Sequence, residues 1–179
     1  MGEFSLRPAE AGDIPAIASI YRANVLAETA SFEEMPPTDT EMERRRSLLL
    51  GTGYPYLVAI SDAGELAGYC YASAYRDRPA YRTTVEDSVY VHPNYYRQGL
   101  GQRLLSALIE ACEASGFRQM IAVIGDSGSR DHSVALHRRC GFEPAGNLKA
   151  VGFKHDQWCD TLLMQRELGL GRQSAPTGL

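Results

Sequence analysis

The sequence predicts an α/β (α+β) fold in which one central, mixed and mostly antiparallel sheet is flanked by helices. The predicted elements run strand, two helices, antiparallel strands, then strand, helix, strand, helix and strand, an order typical of helices packed on a mixed sheet. The 179 residues suffice for one well-buried domain and are too few for two ordinary ones. Residues 83–115 organise the rest, because an alternating β-branched run, a glycine loop and a helical pattern follow one another there.

The elements of the first half follow from periodicity and capping residues. Asp13 is predicted to cap a helix whose apolar residues follow at helical spacing, and Thr38 or Asp39 is placed to cap a second helix that stops at Gly51. The sequence Asp-Ala-Gly-Glu joins two strand-like runs, which is typical of a hairpin. In order, we predict a strand at 5–7, a helix after residue 13, a loop at 28–37, a helix ending at 50, and strands at Tyr56–Ser61 and Leu66–Ala74.

The second half supplies the rest of the sheet. An arginine-rich loop at 75–82 leads into residues 83–115, whose helix begins near Gly101 and ends before Gly116. The later predicted elements are a strand at 120–124, a turn-rich loop at 125–131, a helix at 132–140, and a hairpin of strands at 147–153 and 159–167. The domain is predicted to span residues 1–168. Residues 169–179 lack a core-forming pattern and are predicted to be a disordered tail.

The composition is that of a globular protein, which we expect in the cytoplasm. Hydrophobic residues make up 44% and charged residues 22% of the chain, and no apolar run approaches the length of a membrane span. The N-terminus lacks the basic region and hydrophobic stretch of an export signal. A net charge of −4 argues against nucleic-acid binding. We therefore expect neither a membrane nor a nucleic-acid partner.

The cysteines and histidines are not grouped as metal ligands. Four cysteines occur without a CxxC pair, at Cys70, Cys112, Cys140 and Cys159. This spacing favours buried thiols over disulfides or a metal site. Three histidines also lack a metal-like grouping: His92, His132 and His155. No metal is expected.

Two glycines, Gly99 and Gly101, stand at the start of the central helix. Glycines there let main-chain N–H groups approach an anion, and the helix dipole favours negative charge. The loop is therefore either a phosphate or pyrophosphate seat or a structural turn. A Walker loop would need Gly-Lys-Ser/Thr, and a dinucleotide fingerprint would need a third glycine where Leu104 stands.

The loop resembles motif A of the GNAT family of acetyl-CoA-dependent N-acetyltransferases, whose pattern is Gln/Arg-x-x-Gly-x-Gly/Ala. Both glycines match, whereas Tyr96 occupies the first position and Arg97 follows it. The resemblance implies a GNAT-like single domain with a V-shaped cofactor cleft and acetyl-CoA as co-substrate. Five blocks resemble, more narrowly, phosphinothricin and methionine sulfoximine/sulfone acetyltransferases: GYPYLVA (53–59), TVEDSVYV (84–91), AVIG (122–125), SVALHRRCGF (133–142) and VGFKHDQWCD (151–160).

The resemblance implies cofactor contacts in three places. Main-chain groups run beside the pantetheine arm like an added strand, at Val89, Tyr90 and Val91. The glycine loop and helix start hold the pyrophosphate, at Arg97, Gln98, Gly99, Leu100, Gly101 and Gln102. Arg130 replaces an asparagine that contacts the cofactor in the family, and it either reaches a phosphate or is solvated. Ser133 caps the last helix or touches the cofactor.

Glu86 is the candidate catalytic carboxylate. On a strand it shares one face with Thr84, Ser88 and Tyr90. A carboxylate within an otherwise apolar strand is unfavourable unless it is paired or faces a cleft. Glu86 is therefore either a general base that takes a proton from an amine or half of a structural ion pair, and the resemblance of its TVE block favours the base.

His137 is the second catalytic candidate. Many GNAT enzymes place at this position a tyrosine that protonates the departing thiolate, and phosphinothricin acetyltransferases have histidine there. The resemblance therefore implies that His137 is this acid, and a structural role is the alternative.

Arginines cluster just before the central strand of a chain that is acidic overall, at Arg76, Arg78 and Arg82. A small anionic substrate and an ordinary solvated loop would each explain this cluster. The resemblance implies substrate contacts in this loop at Arg76, Arg78 and Tyr81. We expect Glu86, Ser88 and Phe32 to contribute to the substrate pocket, with ordinary packing as the alternative for Phe32.

Together these observations predict an N-acetyltransferase acting on the α-amine of a small amino-acid analogue such as phosphinothricin, methionine sulfoximine or methionine sulfone. Two alternatives stay open. A protein acetyltransferase acting on an N-terminus or lysine would favour an acidic groove, and a silent acyl-CoA-binding module would not need Glu86. The resemblance also implies a homodimer, with the hairpin around Trp158 as a candidate contact.

Overall fold

The computed structural model describes residues 3–29, 31–125 and 130–176, and these residues form seven strands and four α-helices. The strands are β1 (Phe4–Pro8), β2 (Tyr56–Ser61), β3 (Leu66–Ala74), β4 (Thr84–Val91), β5 (Gln119–Gly125), β6 (Glu143–Lys154) and β7 (Gln157–Glu167). The helices are α1 (Ile14–Ala27), α2 (Asp39–Gly51), α3 (Leu100–Ala114) and α4 (Arg130–Arg139). All strands belong to one sheet, in the order β1-β2-β3-β4-β5-β7-β6.

One pair of neighbouring strands differs from the rest of the sheet. β4 and β5 are parallel, and every other neighbouring pair is antiparallel. The parallel register begins with Thr84 opposite Gln119 and ends with Asp87 opposite Ala122. Beyond that point β4 continues along β3, and β5 continues along β7. The two central strands therefore part, and the predicted mixed sheet with a V-shaped cleft is confirmed.

Each face of the sheet has its own hydrophobic core. Helix α3 contributes a stripe of almost fully buried leucines to one core, at Leu100, Leu104, Leu105 and Leu108. On the other face, α1 and α2 pack over aromatic side chains of β2 and β3, with Tyr56 and Tyr69 buried against Ile17. These two cores fix β4 from both sides, which matters because β4 carries the residues of the candidate site.

The predicted elements occur in the predicted order, with differences at their boundaries. β6 begins at Glu143 rather than at residue 147, and its register with β7 shifts twice, between Pro144 and Gly146 and again after Leu148. Proline, glycine and these irregularities obscure the strand pattern in the sequence. Helix α4 begins at Arg130, two residues before its predicted start.

The end of the chain packs on the domain. Leu168 is fully buried, and its N–H donates to the Arg118 carbonyl. Residues 169–172 then form turns, and the Arg118 guanidinium donates to the Ser174 hydroxyl at 3.1 Å. The predicted disorder of residues 169–179 stays a prediction. Residues 177–179 lie outside the described part of the chain, as do 126–129 of the turn-rich loop, residue 30 of the 28–37 loop and the first two residues of the predicted domain.

Candidate functional site

The cleft between β4 and β5 exposes main-chain groups of β4. Within the described residues, positions 88–91 have no register partner on the β5 side, although they remain paired with β3. An extended ligand can therefore add to this strand through main-chain hydrogen bonds. The Tyr90 side chain stacks on Tyr69 at 4.9 Å and meets the edge of Tyr21 at 5.3 Å, so it belongs to the core on the α1 face.

The glycine loop shapes the start of α3. Arg97 and Gly99 have φ angles of 61° and 77°, so the chain turns sharply through left-handed conformations before the helix. Gly99 is the N-cap residue, and no side chain caps the helix. The first main-chain N–H groups of α3 thus lack intrahelical acceptors and present partial positive charge to a ligand. This arrangement suits a diphosphate.

Other loop residues support this geometry. Gln98 donates from its side chain to the Asn94 carbonyl at 3.2 Å, which braces the loop internally. A Cβ added to Gly101 would lie 3.4 Å from Leu136, so α3 and α4 approach closely beside the helix start. Arg97 and Gln102 are exposed. The structure therefore brings the predicted loop residues together at one end of the cleft.

Glu86 lies on β4, next to the last residue that pairs with β5. The side chain is half-buried on the strand. The pKa of Glu86 is raised to about 7, chiefly because the carboxyl is buried and also because Asp87 is negative, while Arg76 offsets part of the rise. A carboxyl with this pKa can take up and release a proton near neutral pH.

Asp87 and His137 form a buried pair beside Glu86. The His137 Nε2 atom lies 3.0 Å from Asp87 Oδ2, and its Nδ1 atom lies 2.7 Å from the Ser133 carbonyl oxygen. Burial alone lowers the pKa of His137, but hydrogen bonding and charge from Asp87 outweigh it, with help from the Ser133 carbonyl, so the pKa is raised. The buried Asp87 carboxylate therefore favours the protonated form of the His137 ring.

The role of His137 as an acid stays a prediction. Its side chain is 5% exposed, and both ring nitrogens are engaged. Sequence reasoning missed Asp87, although a signal was present. An aspartate that alternates with Glu86 must face the opposite, buried side of β4, and a buried carboxylate requires a polar partner.

Arg130 connects α4 to the β6–β7 hairpin. Its guanidinium donates to Asn147 Oδ1 at 2.8 Å, and the Asn147 amide in turn donates to Asp160 at 3.1 Å. Ser133 contributes its main-chain carbonyl to His137, with its hydroxyl 3.5 Å from the same ring nitrogen. Whether Arg130 and Ser133 touch a cofactor stays a prediction.

The arginine-rich loop borders Glu86. It leaves β3 beside that residue, because Ser73 is the register partner of Glu86. Residues 74–78 line an open cavity of about 720 Å³. Arg76 lies over the Tyr75 ring at 5.1 Å, and Tyr75 meets Tyr81 edge to face at 5.7 Å. Arg76, Arg78 and Tyr81 are all exposed toward solvent.

Two further predicted substrate residues lie on the α1 side. Ser88 is the register partner of Tyr71 on β3. Phe32 is 43% exposed, and its ring lies so close to Gly152 that an added Cβ would come within 2.4 Å of it. Phe32 thus contacts β6. Among the described residues, no group of three or more His, Cys, Asp or Glu side chains is placed to hold a metal ion.

The fold and this site define an acyltransferase that uses acetyl-CoA, and the chain belongs to the GNAT family: the model of the acetyltransferase (GNAT) family matches residues 18–142. Two similar solved structures contain acetyl-CoA. One is a GNAT superfamily phosphinothricin acetyltransferase from Sinorhizobium meliloti, with TM-score 0.93 and 51% identity over 97% of this chain and 93% of that one. The other is a putative acetyltransferase from Salmonella typhimurium, with TM-score 0.91 and 32% identity over 99% of both chains.

Two named acetyltransferases are similar to this chain over most of its length. The chain is 54% identical to phosphinothricin N-acetyltransferase from Alcaligenes faecalis, over 92% of this chain and 82% of that protein. It is 41% identical to L-methionine sulfoximine/L-methionine sulfone acetyltransferase from Pseudomonas aeruginosa, over 96% of this chain and 98% of that protein. The family predicted from the glycine loop is confirmed.

Proposed function

We propose that this enzyme transfers the acetyl group of acetyl-CoA to the α-amine of phosphinothricin, methionine sulfoximine or methionine sulfone. The observation that carries the proposal is Glu86, whose pKa is raised to about 7 where β4 and β5 part, beside a loop of exposed arginines. The names of the relatives support the choice of substrates.

Glu86 is the proposed general base. An α-amino group has a reference pKa of about 8, so part of the substrate is already neutral near that pH. The amine nitrogen bonds to the thioester carbonyl carbon, the amine proton passes to the Glu86 carboxylate directly or through a water, and the carbon–sulfur bond breaks. Acetyl-CoA supplies the activated acyl group. A base with a pKa of about 7 is ionised at the pH where a useful fraction of amine is neutral.

His137 is the proposed source of the proton returned to the thiolate. Its raised pKa supports this role, since an acid must be protonated at working pH. Its Nε2–H is shared with Asp87, so donation requires this bond to be exchanged for one to sulfur. A His137→Phe variant with an unchanged pH–rate profile would assign His137 a structural role.

The arginine loop is the proposed acceptor for the anionic groups of the substrate. Arg76 and Arg78 can each offer forked N–H donors to a carboxylate or phosphinate, and a charge-assisted hydrogen bond contributes roughly 1.5–3 kcal/mol. Tyr81, Ser88 and Phe32 complete the proposed pocket. This loop disfavours a basic protein tail as acceptor, because like charges would meet.

The proposal is tested by following free thiol while the enzyme is incubated with acetyl-CoA and a panel of amines. We expect turnover with phosphinothricin, methionine sulfoximine or methionine sulfone. Glu86→Gln should lose roughly 100- to 10,000-fold in kcat while acetyl-CoA binding stays within twofold. Glu110→Gln, which removes an exposed carboxylate from α3, is the matched control and should behave like the wild type.

Each other result excludes part of the proposal. Turnover only with peptides would indicate a protein acetyltransferase. Acetyl-CoA binding without turnover on any amine would indicate an acyl-CoA-binding module. Full activity in Glu86→Gln would remove Glu86 from the reaction.

We further propose that the enzyme is a cytoplasmic homodimer. Exposed apolar side chains concentrate on the β6–β7 hairpin, where Phe153 and Trp158 are 53% and 68% exposed and meet at 5.2 Å. Such a patch supports contact with a second copy. All four cysteines are free and buried, which is consistent with a reducing compartment. Among the described helices, none is long and apolar enough to cross a membrane.

A further inference from the structure

The tip of the β6–β7 hairpin holds a buried lysine. Lys154 is the last residue of β6 and is 5% exposed. Its Nζ atom donates to three main-chain carbonyl oxygens: those of Val25 at 2.7 Å, Glu28 at 2.8 Å and Ser31 at 2.7 Å. The ammonium thus joins the end of α1, and the loop that follows it, to a hairpin at the far edge of the sheet.

This contact is chemically specific. A buried cation is unfavourable unless hydrogen bonds replace its water, and an ammonium has three donors for the three carbonyls. Burial lowers the pKa of Lys154. The Val25 carbonyl belongs to the last turn of α1, where carbonyls lack intrahelical donors and the helix dipole favours a positive charge. The lysine therefore caps α1 from a distant part of the chain.

The chain uses lysine here although it otherwise prefers arginine. Lys149 and Lys154 are its two lysines, among 18 basic residues of the Lys and Arg type. A planar guanidinium directs its donors in one plane, whereas an ammonium directs three donors toward a concave group of carbonyls. The residue type at position 154 thus matches the geometry of its acceptors.

The loop held by Lys154 carries Phe32. Ser31, whose carbonyl accepts from Lys154, also hydrogen-bonds through its hydroxyl to the Tyr21 hydroxyl at 3.1 Å. Phe32 follows directly, and one side of its ring rests on Gly152, two residues before Lys154. The ring is still 43% exposed. The loop and the hairpin therefore form one wall, with an aromatic ring available to a ligand.

This wall is linked to β4 on the face that Glu86 shares with Ser88 and Tyr90. Tyr21 meets Tyr90 of β4 edge to face at 5.3 Å. Burial raises the pKa of Tyr71, and a hydrogen bond with Ser88 opposes the rise. The charge of Arg45 also lowers this pKa, and the charge of Glu86 raises it. Arg45 in turn pairs with Glu33 of the same loop at 2.6 Å. The loop after α1 thus borders the Glu86 face of β4.

We propose that Lys154 is a positioning residue that fixes the loop after α1, and with it Phe32, as the wall of the amino-acid pocket. The inference rests on the proposed function, because it assigns the pocket beside Glu86 to the acceptor. The proposed acetyl-CoA contacts lie on β4 and the glycine loop, whereas the Lys154 ammonium donates to carbonyls of α1 and of the loop after it. Loss of the ammonium should therefore weaken acceptor binding selectively.

The kinetic test compares Lys154→Met, which keeps length and removes the donors, with Lys149→Met, an exposed lysine of the same strand. We expect Lys154→Met to raise the KM for phosphinothricin about tenfold or more, with the KM for acetyl-CoA within about twofold. Lys149→Met should match the wild type. Lys154→Arg should raise the KM for phosphinothricin as Lys154→Met does. A lowered melting temperature with both KM values unchanged would overturn the inference.

A second variant covers the case in which Lys154→Met does not fold. Gly152→Ala leaves the lysine intact and places a methyl group against the Phe32 ring. It should raise the acceptor KM without changing that of acetyl-CoA, and an unchanged acceptor KM would contradict the proposal. In a double mutant, the effects of Phe32→Ala and Lys154→Met should be less than additive, and full additivity would also contradict it.

Hydrogen exchange separates this inference from the proposed function. In Lys154→Met, amides of residues 25–29 and 31–33 should exchange about tenfold faster than in the wild type, while those of α3 should not change. This readout requires no substrate. Unchanged exchange would overturn the positioning role even if phosphinothricin is acetylated, and faster exchange would support it even if another amine proves to be the acceptor.

Discussion

At the scale of residues, two adjacent carboxylates acquire different properties because they lie on opposite faces of β4. Asp87 is buried and paired with His137 at 3.0 Å. Glu86 is half-buried on the other face, and its pKa is raised to about 7 by burial and by the charge of Asp87. The protein thus keeps a carboxylate in an environment that disfavours its charged form. This is the condition under which a carboxylate acts as a base near neutral pH.

Glu86 should therefore lower the stability of the folded enzyme at neutral pH. Its folded pKa of about 7 lies above its ordinary value of 4.5, so its stabilising contribution is complete below pH 4.5 and is lost as the pH rises through 7. Relative to Glu86→Gln, the wild type should lose on the order of 2–3 kcal/mol in free energy of unfolding between pH 4.5 and 8.

Urea unfolding of the wild type and Glu86→Gln at several pH values measures this difference. We expect the two curves of unfolding free energy against pH to diverge with rising pH and to become parallel above about pH 8. Glu110→Gln should not diverge from the wild type. If the Glu86→Gln curve stayed parallel to the wild-type curve at every pH, burial would not raise the pKa of Glu86.

At the scale of elements, the position of β4 is set by close contact with β3. Gly68 of β3 pairs with Val91, and a Cβ at Gly68 would lie 2.7 Å from the Tyr90 main-chain oxygen. It would also lie 3.1 Å from Leu104 of α3. Strand β4 can therefore lie this close to β3 only because position 68 is a glycine. The main chain of β4 is also the part that the cofactor is proposed to contact.

Gly68→Ala should displace β4 and weaken acetyl-CoA binding. The added methyl should lower the free energy of unfolding by about 1–3 kcal/mol, because the contacting atoms belong to the backbone and cannot move aside cheaply. Gly146→Ala on β6 is the control, since a Cβ there has no neighbour within 4 Å. Calorimetric titration with acetyl-CoA measures the effect, and an unchanged Kd in a destabilised Gly68→Ala would argue against cofactor pairing with β4.

At the scale of the whole molecule, the β6–β7 hairpin has two roles on its two sides. Its inner side holds the loop after α1 through Lys154. Its outer side presents Phe153 and Trp158 to solvent. Dimerisation through this hairpin would bury those aromatic side chains and would steady the same element that supports the proposed acceptor pocket.

Trp158→Ala should weaken the proposed dimer. Large aromatic side chains contribute most to interfaces of this kind, and truncation of one typically costs about 2 kcal/mol or more, or roughly thirtyfold in Kd. Sedimentation velocity over a range of concentrations measures the shift. Leu48→Ala, at an exposed apolar residue of α2, is the control. A wild-type enzyme that stays monomeric at tens of micromolar would exclude the dimer.

The sequence alone determined the features that depend on local pattern. Periodicity predicted α1, α2, α3 and the central strands, because side-chain spacing follows directly from local backbone geometry. The predicted cap of α2 is confirmed, because the Thr38 side chain accepts from the Glu41 N–H. The predicted cap of α1 is wrong, because the Asp13 carboxylate accepts from Arg7 and the Glu10 N–H instead. The glycine loop predicted an anion seat at the start of α3, and alternation along β4 predicted that Glu86 shares a face with Ser88. The irregular start of β6 was missed because two register shifts break its alternation.

Only the tertiary structure decided which distant residues meet. The pairing of Asp87 with His137 spans 50 positions, and the bond from Lys154 to the Val25 carbonyl spans 129. Neither has a sequence signal of its own, because the partner of a buried charge is selected by how strands and helices pack. The parting of β4 and β5 is likewise a property of the whole sheet, and it is this separation that leaves the main chain at positions 88–91 without a partner on the β5 side.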